Sequence, residues 1–190
     1  REIALAATSS YIFKTVFFAP SLISEESLNK IISRDVSLVS IPFALYQKVA
    51  YRESTEGIIA IVEEKKHTLD DIIFKRENPI VVVAESIEKP GNLGALLRTA
   101  DAANIDAFLI ANPKSDIYNP NLIRSSVGCV FSQQIGVGTT EDIIKFLEEK
   151  NIKIYAATLQ NSNYYHLEDY IDSCALVVGT EATGLSKEFR

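Results

Sequence analysis

Ile80-Val81-Val82-Val83, followed beyond Pro90-Gly91 by Asn92-Leu93-Gly94-Ala95-Leu96-Leu97-Arg98-Thr99-Ala100-Asp101-Ala102-Ala103, is the stretch that decides how this chain folds. An unbroken apolar, β-branched run reads as a strand buried on both faces. Leu93, Leu96, Leu97 and Ala100 recur at helical spacing, so residues 92–103 read as a helix. Pro90 and Gly91 make a turn, and Asn92 suits the helix N-cap.

The alternation continues downstream. Residues 107–110 (Ala-Phe-Leu-Ile) read as a strand, 120–127 as a short helix and 130–137 as extended chain. Residues 141–150 form a helix with Ile143, Ile144 and Leu147 inward, and 152–158 and 175–178 are further strands. Strand–helix alternation with apolar strands predicts an α/β domain: a parallel sheet flanked by helices on both faces. Ligands of such sheets lie beyond the carboxyl ends of the strands. Those ends are residues 84–91, 111–118, 158–163 and 179–184.

Upstream, the pattern is mixed helix and strand. Residues 15–19, 36–40 and 58–62 read as strands, the last as a buried one. Ser24 with Glu25 and Glu26 marks a helix start, and Pro42 opens another helix with apolar positions at Phe43, Leu45 and Val49. Residues 63–78 are polar, include Glu63-Glu64-Lys65-Lys66, and end at Asn78-Pro79. They read as a linker, which divides the chain into residues 1–76 and 77–190.

Bulk properties narrow the function classes. Hydrophobic residues make up 47% and charged residues 23%, the balance of a soluble globular protein. No apolar run approaches the roughly 20 residues that span a bilayer, so a cytoplasmic protein is expected, with no membrane partner. Cys129 and Cys174 lie in apolar surroundings and read as buried free thiols. His67 and His166 have no partner at ligand spacing, so no metal site is expected. Net charge is −6. Residues 1–76 carry ten Lys+Arg and ten Asp+Glu, against nine and fifteen in residues 77–190. Only the first part has room for a broad basic face, yet a nucleic-acid partner needs only local positive potential.

Two loops carry chemistry. The 89–101 segment brings a helix N-terminus to the ligand side of the sheet, a natural place for phosphate. It also carries Arg98, embedded among Leu96, Leu97 and Ala100. The second loop is Val178-Gly179-Thr180-Glu181-Ala182-Thr183-Gly184, where a buried strand ends in glycine and a ligand could touch backbone. Alone, each has a plain structural reading: an Arg snorkelling off a helix, and a strand-to-helix turn with Glu181 in the first helical turn. A G-x-G-x-x-G fingerprint is missing from residues 89–95, which sets aside a dinucleotide-dependent oxidoreductase.

Together the loops resemble the SpoU–TrmH branch of the knotted methyltransferases. Asn92, Gly94, Arg98 and Ala100 match that family's N-x-G-x-x-x-R-x-A motif, and Gly179, Glu181 and Gly184 match its G-x-E-x-x-G motif. Arg124-Ser125-Ser126-Val127-Gly128 is similar to the family's segment between the two. Residues 1–76 more loosely resemble the small ribosomal-protein-like α/β RNA-binding domain that precedes some catalytic domains. The family's third motif, a glycine-containing loop and a Ser-Leu-Asn helix, would follow Arg190. The methyltransferase domain is therefore expected to be incomplete at its C-terminus, and with it the trefoil knot.

The resemblance implies S-adenosylmethionine as cofactor and transfer of its methyl group to an RNA ribose 2′-hydroxyl. Ribosomal RNA is preferred, with transfer RNA or a non-catalytic RNA-binding role as alternatives. It implies catalytic roles for Arg98, Asn92 and Glu181, and cofactor contacts at Leu159, Gly179, Thr180 and Gly184. RNA contacts fall at Arg98, Arg124, Ser125 and Ser126, and the methyltransferase domain is expected to form a homodimer. A guanidinium stays protonated at ordinary pH, so Arg98 is read first as a clamp for phosphate and developing oxyanion.

Overall fold

A computed structural model of the chain describes residues 1–51, 56–160 and 162–190. Two compact units divide at Lys65/Lys66: Arg1–Lys65 and Lys66–Arg190. The second unit thus begins earlier than the sequence pattern suggests. Leu69 and Phe74 pack against its core and Ile72 is buried in it, while Val137 N–H donates to His67 O at 2.8 Å. Gln134 closes this segment down by exchanging two hydrogen bonds with the Ile73 backbone, each 3.0 Å. Those backbone partners lie 61 residues from Gln134, a distance that local polarity does not encode.

In the first unit, α1 (Glu2–Thr8), β1 (Phe13–Phe18), α2 (Glu25–Asn29), β2 (Ser37–Ser40), α3 (Phe43–Val49) and β3 (Ile58–Val62) follow in order. The sheet order is β2-β1-β3, with β1–β2 parallel and β1–β3 antiparallel. Ser24 caps α2 by accepting from Ser27 N–H. Val16, Phe18, Leu28 and Ile32 form the core. Two expectations change here. β3 is an edge strand with no residue fully buried, Ile61 being exposed. Phe43, Leu45 and Val49 of α3 are exposed, and Tyr46 turns inward, its hydroxyl accepting from Gly57 N–H at 3.0 Å.

The second unit comprises β4 (Ile80–Glu85), α4 (Pro90–Ala102), β5 (Ala107–Ala111), α5 (Pro120–Ser125), α6 (Cys129–Ser132), β6 (Ile135–Gly138), α7 (Thr140–Glu149), β7 (Lys153–Ala156) and β8 (Cys174–Val178). Its five strands are ordered β6-β5-β4-β8-β7, and every pairing is parallel. Residues 130–137 are not one extended run. Gly128, at φ +85°, opens the short helix α6, and the strand starts only at Ile135. α7 starts on a full capping box between Thr139 and Asp142.

Two core layers flank the sheet. α7, Ile72, Leu185 and Phe189 cover one face with Val81, Val83, Leu109 and Val177. On the other, Leu93, Leu97 and Ala100 of α4 and Leu122 of α5 pack on Ala84, Phe108 and Ile110. Coverage of that second face is uneven among the described residues: Leu176, in the middle of β8, remains 39% exposed.

The strand order creates the position that matters for function. The chain steps outward from β4 through β5 to β6, then crosses to the other edge and returns as β8 beside β4. After β4 the chain turns to the α4 layer, and after β8 to the opposite layer of Leu185 and Phe189. Ligands of open parallel sheets bind at the carboxyl ends of strands at such a switch point.

Candidate functional site at the β4/β8 switch point

The loop after β4 feeds α4, and the loop after β8 runs from Gly179 to Ser186. Asn92 is not the N-cap of α4. Lys89 holds that position, Pro90 occupies the first helical position and Asn92 falls in the first turn. Its side chain is thereby released from capping. It donates from Nδ2 to Glu181 Oε1 at 2.6 Å, across 89 residues of sequence. Lys89 Nζ donates to the other oxygen, Glu181 Oε2, at 3.2 Å. Hydrogen bonding from Lys89, then from Asn92, holds the Glu181 carboxyl below its ordinary value, so it is an anion at neutral pH.

The second loop is a tight reversal, not the start of a helix. Thr180 pairs with Gly184 by two backbone hydrogen bonds of 3.1 Å, and Thr180 Oγ1 accepts from Thr183 N–H at 3.0 Å. The glycines are required by this return. A Cβ on Gly179 would lie 2.4 Å from the Gly184 carbonyl group, and Gly184 itself is left-handed at φ +69°. Arg190 Nη2 donates to Thr183 O at 2.8 Å and ties the loop from outside.

Arg98 lies on the exposed side of α4, although Leu97 and Ala100 beside it are buried. It forms no hydrogen bond or ion pair with any other described residue, so its five donors face solvent. Gly94, one turn before it, has a packing role. A Cβ there would sit 1.9 Å from Ser125 Oγ and 2.7 Å from Leu122 O, so glycine lets α4 and α5 touch.

The segment at residues 124–126 divides. Arg124 is exposed. Ser125 Oγ donates to Asn121 O at 2.8 Å and lies against Gly94. Ser126 is fully buried and its hydroxyl donates to Ile123 O at 3.0 Å. Of the residues expected to hold RNA phosphate in this segment, Ser126 is thus the one shielded from solvent, with its proton already placed. Leu159, past the end of β7, is 100% exposed. Of the loop at residues 158–163, Asn161 lies outside the described residues.

Two rim residues, Lys89 and Glu85, escaped the sequence reading. Lys89 looked like part of a turn. Glu85 fell in the stretch 84–91 read as lying beyond the strand, yet it is the last residue of β4 and only 2% exposed. It accepts from Thr140 Oγ1 at 2.6 Å and from Ser186 N–H at 2.7 Å. The one available signal was an acid closing an otherwise apolar central strand. Among the described residues, no group of three or more His, Cys, Asp or Glu could hold a metal ion, and no helix is long and apolar enough to cross a membrane.

A model of the SpoU rRNA methylase family matches residues 79–190, which contain both rim loops and the whole five-stranded sheet. The chain belongs to the SpoU rRNA methylase family. The family match begins at Pro79, just before β4. Among similar proteins, a 23S rRNA (guanosine(2553)-2′-O)-methyltransferase of Bacillus subtilis is 32% identical over 105 residues, covering 55% of this chain and 42% of that protein. A 23S rRNA (uridine(2479)-2′-O)-methyltransferase of Streptomyces viridochromogenes is 24% identical over 200 residues, covering 100% of this chain and 69% of that protein. An AdoMet-bound rRNA methyltransferase from Sinorhizobium meliloti superimposes with a TM-score of 0.85 at 25% identity, over 97% of this chain and 70% of that one. The first two thus set SpoU-family members of differing length beside this chain, and the third extends the likeness through the first unit.

Proposed function

We propose that this chain transfers the methyl group of S-adenosylmethionine to a ribose 2′-hydroxyl of ribosomal RNA. The observation that carries the reading is the Asn92–Glu181 hydrogen bond, which joins the two motif loops at the switch point. Arg98, exposed further along the same helix, supplies the cation of the first motif. The relatives named above, which methylate 23S rRNA at 2′-oxygens, favour ribosomal over transfer RNA.

The residues present suit the cofactor. Leu159 offers an uncovered apolar side chain for an adenine face, and the tight loop at Gly179, Thr180 and Gly184 offers backbone partners. The Glu181 carboxylate suits a neighbouring sulfonium. Bound S-adenosylmethionine supplies an electrophilic methyl group. The chain's own residues must then seat the ribose and stabilise the oxygen as it sheds its proton. Arg98 clamps a flanking phosphate with its planar fork and stabilises the developing oxyanion. Asn92 is held by Glu181 at the helix entrance, where it orients the ribose. Arg124 adds a phosphate contact. Residues 1–65 bind the RNA substrate, and two methyltransferase domains pair to complete the site.

The test uses the full-length protein, S-adenosylmethionine with a labelled methyl group, and ribosomal RNA. Label should appear on a ribose 2′-oxygen in wild type and be lost in Arg98→Ala. Absence of transfer, together with no heat on titrating the cofactor, would overturn the reading. Arg98→Lys keeps charge but loses the fork, so wild-type turnover in that variant would sink the clamp role.

A further inference from the structure

Glu85 is the one buried carboxylate of the second unit among the described residues, and neither motif loop contains it. Its burial is expensive for stability unless every lone pair finds a donor. An apolar residue at the end of a central strand would serve the core at least as well. The partners show what the carboxylate does instead. Thr140 Oγ1 gives its only proton to Glu85 Oε1, and in turn accepts from Asn112 Nδ2 at 2.9 Å. Asn112, just past the end of β5, is left-handed at φ +49°, and its N–H donates to Gly138 O at 2.9 Å. Thr140 opens α7, whose positive end favours an anion. Glu85 Oε2 accepts from the backbone of Ser186, 101 residues away. The carboxylate therefore links the fixed rim of β4, β5 and α7 to the exit of the loop that presents Glu181.

We propose that Glu85 is a positioning residue for methyl transfer: it pins Ser186, so that the loop at residues 179–186 holds Glu181 against Asn92. The loop is anchored twice. Its entrance is fixed by the close approach of Gly179 to Gly184 and Leu185, and its exit by Glu85. Glutamine at 85 can serve Ser186 N–H or the Thr140 hydroxyl as acceptor through its single carbonyl oxygen. The other donor then goes unmet, and the exit loosens. This inference rests on the methyl-transfer reading above.

The experiment is a double-mutant cycle in the full-length protein with labelled S-adenosylmethionine and ribosomal RNA. Glu85→Gln should lower kcat by about 100-fold, the scale of a small misplacement in an active site. Combined with Glu181→Ala, it should cost no more than about twofold beyond Glu181→Ala alone, since both act through one contact. Multiplying effects would overturn the proposal, because they would mean that Glu85 acts on something other than Glu181. Where Glu85→Gln does not fold, Thr140→Val paired with Glu181→Ala gives the same cycle from the other side of the carboxylate. Amide exchange supplies a readout independent of activity. Glu85→Gln should speed exchange at Ser186 and in residues 179–185 while leaving the β4 amides protected. Unchanged exchange in the loop would overturn the proposal even with activity lost. Faster exchange in Glu85→Gln, with no methyl transfer even by the wild-type protein, would instead count against the functional reading alone.

Discussion

Two rim segments of the second unit look alike as sequences and differ as structures. Residues 89–98 and 124–126 each set polar side chains in or beside a short helical pattern, and both contribute to the family likeness. In the first, Lys89 and Asn92 reach out of their helix to Glu181 on another strand's loop. In the second, the hydroxyls of Ser125 and Ser126 fold back onto carbonyls of their own helix. The difference lies in reach and competition. A serine hydroxyl finds a helical carbonyl three or four residues back and is satisfied locally. A lysine at the N-cap, or an asparagine in the first helical turn, has no such carbonyl behind it and remains available for tertiary contact.

The contrast is broken or sharpened by substitutions of graded size. Arg98→Ala should lower methyl transfer by about 1000-fold, the upper scale for removing one oxyanion donor, with no change in melting temperature. Kinetics and calorimetry on the same preparations check both halves, and a large drop in melting temperature would mean that Arg98 has a structural partner. Gly94→Ala forces a methyl group into Ser125 and the Leu122 carbonyl. It should destabilise the second unit by about 2 kcal/mol in denaturant unfolding.

Lys89→Ala removes the first cause of the depressed Glu181 carboxyl. A lowered folded-state pKa means that the loop contact contributes fully above the ordinary value of 4.5 and is lost as pH falls through the lowered one. Titration of the Glu181 carboxyl by NMR should therefore move upward in Lys89→Ala, toward that ordinary value. An unmoved titration would show Asn92 alone to be responsible. The smallest effects belong to residues 124–126. Arg124→Ala should weaken RNA binding and reduce its salt slope by about one, whereas Ser126→Ala should leave both within about twofold. RNA titrations at several salt concentrations decide this, and equal losses in the two variants would erase the contrast.

Much of the second unit was legible because its signals are local. The apolar strand at Ile80, the α4 spacing of Leu93, Leu97 and Ala100, and the helical spacing of Ile143 and Leu147 in α7 each depend on neighbours within a few residues. Arg98 and Glu181 could be singled out for the same reason, through motifs of fixed spacing. Less was legible where polarity misled. The segment at residues 66–76 looked like a linker but packs on β6, and Phe43, Leu45 and Val49 looked inward but face out. Val130 looked extended, yet Gly128 turns the chain into α6 first.

What the sequence determined by itself is the set of periods and punctuation: parallel strands, the α4 helix, two motif loops and the family they belong to. Those follow from side-chain size, branching and spacing, which act within a turn or a strand. Only the tertiary structure decided that β8 lies beside β4, that Asn92 meets Glu181, and that Glu85 is sealed beneath them. Such contacts join residues about a hundred positions apart through the order of strands in a sheet. That order is chosen by the packing of whole layers, and no local pattern records it.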